Sequence, residues 1–187
     1  MKRTKKLFHQ ALLSLLQEKE FTYITISEIV IKADVNRGTF YFHYEKKEDL
    51  LEEMVQMTLT KMIAAYRKPH ISYQEMNITE ISTIPLFEHF VENQVFYKTI
   101  LSSKVPIHLQ DRMIEIMEYQ FQIDIDFHIP ELLENLDFQL FTSYRVHGLI
   151  GLIINWIKHD FQHSTEFMAE QLVKIVTLNT QKIYIKR

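Results

Sequence analysis

The 187-residue chain contains no cysteine, which excludes a disulfide framework and any metal site built on thiolates. Glycine is nearly as scarce, with Gly38 the only one before Gly148 and Gly151. That scarcity excludes a glycine-rich phosphate loop and the GxSxG turn of serine hydrolases, and no HExxH zinc motif is present. The chain is therefore not expected to be an enzyme, and no cofactor or metal is called for. His159 and His163 are four residues apart, but no acidic third ligand goes with them. Long apolar runs are missing too. The most apolar stretch, GLIGLIINWI at 148–157, is bounded by Arg145, His147, Lys158 and His159 and is too short to span a bilayer. The N-terminus, with Lys2, Arg3, Lys5 and Lys6, lacks the apolar run and cleavage site of a signal peptide. A cytoplasmic protein with no membrane partner is the expectation.

What is present is core material and an uneven distribution of charge. Apolar residues make up 47% of the chain. The net charge of −3 hides nine Lys or Arg against five Asp or Glu in residues 1–47, and twelve against nineteen in the rest. A basic head on an acidic body suits a nucleic-acid reader joined to a second module. Apolar positions recur at helical spacing almost throughout, as in Leu7, Phe8, Ala11, Leu12, Leu15 and Leu16, so the fold class is all-α.

Residues 24–50, ITISEIVIKADVNRGTFYFHYEKKEDL, organise the rest. Thr25 and Glu28 form a capping box, and Ile24 with Ile29 the hydrophobic staple around it. The helix they open should stop near Ala33 and Asp34, because Asp tolerates a left-handed backbone. Asn36 offers a second N-cap for a helix of about two turns through His43, with Phe40 and Tyr44 facing inward. Two short capped helices joined by a tight turn make a helix-turn-helix. Gly38 lets the second helix press its backbone close to DNA. Arg37 carries a planar fork suited to guanine, a contact worth roughly 1–3 kcal/mol of discrimination. Thr39 and Tyr41 lie near the helix start, while His43 and Lys47 flank the groove as phosphate contacts.

The ordered series Thr25, Glu28, Ile29, Ala33, Val35, Arg37 to Tyr41, His43, Tyr44, Lys47, Glu48 and Leu50 resembles the N-terminal domain of the TetR family of bacterial transcription regulators. The resemblance implies DNA contacts at Thr25, Arg37, Gly38, Thr39, Tyr41, His43 and Lys47. It departs from the family at Asp34, where many members have glycine, at Lys46, where a small N-cap is usual, and at Asn36, which replaces serine.

The body is expected to carry the regulatory and dimerisation functions over residues 48–187, with the helix-turn-helix domain in residues 1–47. A long helix from Lys47 to about Tyr66 joins the two. Residues 70–83 read as a loop or frayed helix, Pro85 starts a helix that breaks near Asn93, Pro106 opens the next, and Pro130 marks a connection. The helix from Asp137 to about His159 is apolar on nearly every side, and its two glycines each cost about 1 kcal/mol, so close packing is the expected compensation. With the last helix, capped by Ser164, it looks like half of the four-helix dimer interface of the TetR family. Gly148, Gly151, Leu152, Ile153, Trp156, Leu172 and Ile175 are the expected interface residues. The body further resembles a subgroup that includes activators of dihydroxyacetone kinase operons.

The resemblance implies a homodimer on double-stranded DNA with a palindromic operator, acting as a repressor released by a small-molecule ligand. The alternative is a DNA-bound activator or adaptor whose body docks a protein.

Overall fold

A computed structural model describes residues 2–68, 82–102, 105–124 and 136–178. The described residues form nine α-helices with no strand, confirming the all-α fold. The head comprises α1 (Lys2–Glu18), a 3-10 turn at Phe21–Tyr23, α2 (Ile26–Lys32) and α3 (Arg37–His43). The linking helix α4 (Lys47–Arg67) leads to α5 (Ile84–Glu92), α6 (Gln94–Ser102), α7 (Leu109–Asp124), α8 (Phe138–Lys158) and α9 (Thr165–Thr177).

The head closes around an aromatic cluster. Phe8 of α1 meets Phe40 of α3 at 5.4 Å and Tyr44 at 6.1 Å, both edge to face. Phe8, Ala11, Leu12, Leu15 and Leu16 are buried as their spacing requires, whereas Leu7 turns out to solvent. With Phe40 and Tyr44 locked inward, the rotation of α3 about its axis is fixed. That fixes which side chains it offers outward.

Helix α4 is held in its first half by two other helices. Lys5 of α1 bridges Glu53 at 2.8 Å, and Arg112 of α7 pairs with Glu52 and donates to Gln56 at 3.3 Å. Helix α1 also packs against α6, so head and body touch beyond the linking helix. The head and body cores form one continuous apolar cluster.

The break near Asn93 is present, with α5 ending at Glu92 and α6 starting at Gln94. His89 and Tyr97 face each other across it, His89 Nε2 lying 2.8 Å from Tyr97 Oη. Asn93 Nδ2 donates to the His89 carbonyl at 2.8 Å and approaches His89 Nδ1 at 3.3 Å. An amide nitrogen can only donate, so Nδ1 accepts and Nε2 carries the hydrogen given to Tyr97. Burial holds the imidazole neutral, pulling His89 from 6.5 to about 4.

One expectation here needs correction. Helix α7 starts at Leu109 rather than at Pro106, because Val105 and Ile107 pack against the core from an irregular segment. On α6, Val95 is exposed and Tyr97 is buried. The expected loop at 70–83 falls almost wholly, and the connection at Pro130 entirely, outside the described residues.

Candidate nucleic-acid interface

The two reading helices are built by local hydrogen bonds that sequence alone dictates. Thr25 accepts from the Glu28 amide at 3.2 Å, and Glu28 accepts from the Thr25 amide at 2.9 Å, completing the capping box. Lys19 binds the same carboxylate; with the Thr25 amide and hydroxyl it holds Glu28 down at about 2. The α2 to α3 turn passes through Asp34 at a φ of 53°, the left-handed conformation that many relatives of the motif reach with glycine. Asn36 then caps α3, accepting from the Thr39 amide at 2.8 Å.

Helix α3 presents Arg37, Gly38, Tyr41 and Phe42 to solvent. The Arg37 guanidinium is not a loose cation. It donates to the Tyr41 hydroxyl at 3.1 Å and to Ser27 Oγ of α2 at 3.4 Å, and it lies 5.6 Å from the centre of the Tyr41 ring. A fork fixed at two points keeps less freedom to lose in any further contact. At Gly38 an added Cβ would touch only Asn36 Oδ1, at 3.4 Å, so the open space there lies outward.

The remaining expected contacts are placed less simply. Thr25 is exposed at the start of α2, on the reading side. Thr39 turns its hydroxyl back to Asn36 Oδ1 at 2.9 Å, which engages it in the cap. His43 is half-buried, its ring against Phe8 and Phe42.

Lys47 is given a different task from the one its position suggested. Its ammonium donates to the carbonyls of Phe21 at 2.8 Å, Thr22 at 3.1 Å and Ile24 at 2.7 Å, and sits 4.6 Å from the Phe21 ring centre. An ammonium has three hydrogens and all three are committed. In this arrangement Lys47 clamps the start of α4 to the turn before α2, and has no donor left for a phosphate. Lys46 offers the first turn of α4 no side-chain acceptor; Asp49 instead reaches back to accept from the amides of Glu45 at 3.1 Å and Lys46 at 3.0 Å, tying the preceding turn to the helix.

Sequence reasoning passed over Ser27 and Phe42. Helical geometry offered a signal for the second: once Phe40 and Tyr44 take the core, residue 42 lies about 200° round from Phe40 and must face out.

At the far end of the molecule, α8 and α9 leave an apolar surface uncovered. Leu140 and Tyr144 are 70% and 80% exposed, and Gly148, Gly151 and Asn155 continue their face. On α9, Phe167, Ile175 and Leu178 form a second exposed stripe, Ile175 at 54%. The helices are tied by Trp156 Nε1 donating to the His163 carbonyl at 3.1 Å and Arg145 donating to the Val176 carbonyl at 3.5 Å. Leu152 and Leu172 are half-buried. Ile153 and Trp156 are corrected: they are 0% and 3% exposed within the protomer, where Trp156 meets Phe87 and Phe161 edge-on, and so are not available as surface contacts. Among the described residues a Cβ at Gly148 or Gly151 would meet nothing within 4 Å, so packing among them does not explain either glycine.

Among the grooves beside α4, Ala64 lines two. One of about 760 Å³ runs between α4 and α7, lined by Gln56, Leu59, Ile63, Arg112 and Gln120 among others. The other, about 500 Å³, lies between α4 and α5 against Lys61, Glu88, His89 and Asn93. No helix among the described residues is long and apolar enough to cross a membrane.

Comparison with known proteins agrees with this geometry. Residues 10–54 match the family model described as bacterial regulatory proteins, tetR family, and residues 77–178 match a transcriptional regulator C-terminal region. The chain is 24% identical over 194 residues to the HTH-type transcriptional regulator YxbF of Bacillus subtilis, covering 98% of this chain and 47% of that protein. It thus spans about half the length of the curated relative it matches. Among solved structures it is similar to the dihydroxyacetone kinase operon activator DhaS, at 19% identity and a TM-score of 0.62 over 92% of this chain and 93% of that one. A TetR transcriptional regulator from Streptococcus agalactiae matches at 23% identity and a TM-score of 0.59 over 94% of each chain.

Proposed function

Because the chain belongs to the TetR family of bacterial regulatory proteins and is a DNA-binding transcriptional regulator, we propose that it acts as a homodimeric repressor released from a palindromic operator by a small-molecule ligand. The observation that carries the DNA-reading part is the outward face of α3, where Arg37 is held by Tyr41 and Ser27 beside Gly38. Dimerisation is supported by the exposed apolar stripes on α8 and α9, with the two glycines that have no packing reason among the described residues. Two recognition helices then enter successive major grooves, with half-sites about one turn or slightly more apart.

Release by a ligand is supported by the place of α4. It is pinned to the head by Lys47 and Glu53 and borders both body grooves. A ligand that favours a different seating of α4 changes the spacing of the two heads. Shifting such an equilibrium from 1:99 to 99:1 takes about 5.5 kcal/mol of differential binding.

A second reading, a DNA-bound activator or adaptor whose body docks a protein, is favoured by the similarity in fold to a protein described as an operon activator. Selection of random duplex DNA by the purified protein at physiological salt tests the first reading. An enriched palindrome is expected, and enrichment of no sequence would count against it. Small molecules that release that palindrome separate the repressor from the adaptor, which would instead hold its DNA until a protein partner is added.

A further inference from the structure

Phe42 is 76% exposed on the two-turn helix α3, next to Tyr41 in sequence and about 40° round the helix from Gly38, on the solvent side that also carries Arg37 further round. A single exposed apolar side chain is ordinary on a protein surface. This one is braced: the His43 ring supports it edge-on at 5.0 Å, and His43 in turn lies 6.3 Å from Phe8 in the head core. It also cannot rotate inward with the helix, because Phe40 and Tyr44 hold the opposite side in the core. The face therefore offers a cationic fork, a phenol and a plain benzene ring, all held from behind.

A phenylalanine ring has neither donor nor acceptor, so it gains nothing from a phosphate or from the polar edge of a base. The major groove displays one apolar feature that depends on sequence, the 5-methyl group of thymine. We propose that Phe42 is a specificity-determining residue that reads a thymine methyl in each operator half-site. This assignment rests on the reading that α3 enters the major groove. The dimer surface lies on α8 and α9, so it does not compete for this ring. Arg37 and Tyr41 supply the polar contacts beside it.

The test uses the full-length protein and the duplex it enriches. Each thymine of both half-sites is replaced in turn by deoxyuridine, which removes the methyl and keeps the base pairing. One position is expected to weaken wild-type binding by about four-fold per half-site, the value of one buried methyl. Phe42→Ala is expected to bind the thymine and uracil duplexes equally, and Phe42→Leu to keep part of the difference. An unchanged unfolding midpoint, expected for a side chain this exposed, shows that the variants are folded. The assignment is overturned if no uracil position affects the wild type, or if Phe42→Ala remains as sensitive as the wild type. Should the wild type enrich no duplex at all, the DNA-reading assignment of α3 falls and takes this one with it. Binding of an operator with indifference to every methyl removes only the role of Phe42.

Discussion

The guanidinium of Arg37 and the ring of Tyr41 lie 5.6 Å apart, with the Tyr41 hydroxyl accepting from Arg37 at 3.1 Å. One residue thus aims the other. Arg37→Ala should lose roughly 1–3 kcal/mol of discrimination at one base pair of each half-site. Tyr41→Phe keeps the stack and removes the hydroxyl, so a smaller loss at the same base pair is expected. Titrations against operators with single base changes measure both. Unaltered sequence preference in Arg37→Ala would remove it from the reading set.

Lys47 distinguishes two roles by two different measurements. A phosphate contact contributes about one unit to the slope of log affinity against log salt. A clamp on three carbonyls contributes to folding stability instead. The geometry predicts that Lys47→Met lowers the unfolding free energy by about 1–3 kcal/mol, since carbonyls of the turn lose a charged donor. The salt slope of the folded variant should stay unchanged. A flatter slope with unchanged stability would return Lys47 to the DNA.

For the dimer surface, the outward residues and the inward ones should respond differently. Tyr144→Glu and Ile175→Glu place charge on the uncovered stripes and should yield folded monomers in sedimentation that bind a palindrome poorly. Ile153→Glu puts a carboxylate in the protomer core, where an unpaired charge is costly, so loss of the fold is expected. Intact dimers of both surface variants would place the interface elsewhere.

The buried imidazole of His89 gives a pH dependence with a definite sign. Its folded pKa of about 4 lies below the ordinary 6.5, so between these values the unfolded chain takes up a proton that the folded chain refuses. Stability is therefore full above about pH 6.5 and declines toward pH 4, by about 3 kcal/mol at most from this group. Burial also pulls His9 down, adding to the same window. Urea unfolding across pH 4–7 should show a shallower decline in His89→Gln than in the wild type. An identical decline would mean that His89 takes up its proton as freely folded as unfolded.

Much of the head was legible because its devices are local. The Thr25 and Glu28 box, the Asn36 cap and the left-handed Asp34 each depend on residues within a few positions of one another. The break at Asn93 was legible for the same reason. The clamp of Lys47 was not, because its acceptors are main-chain carbonyls, which every residue carries and no side-chain pattern announces. The faces of α8 were misjudged at Ile153 and Trp156 because a helix apolar all round has no periodic contrast between its own core and a neighbour. Its glycines lie on the exposed side of the helix, while Leu140 and Tyr144 beyond them were passed over. His89 and Tyr97 escaped notice because each looks polar until its partner across the Asn93 break is known.

Helix α4 has 21 residues, which makes it a rod about 31 Å long. Its clamped end belongs to the head and its other end borders the grooves of the body. A tilt of about 5° at the body end carries the head sideways by about 3 Å over that length. Applied in opposite senses in two protomers, the same tilt changes the distance between recognition helices by about 5 Å, against a groove repeat of about 34–36 Å. If release by a ligand operates as proposed, wedging one groove open by the width of a methyl or two would have enough mechanical advantage to put the recognition helices out of register with DNA.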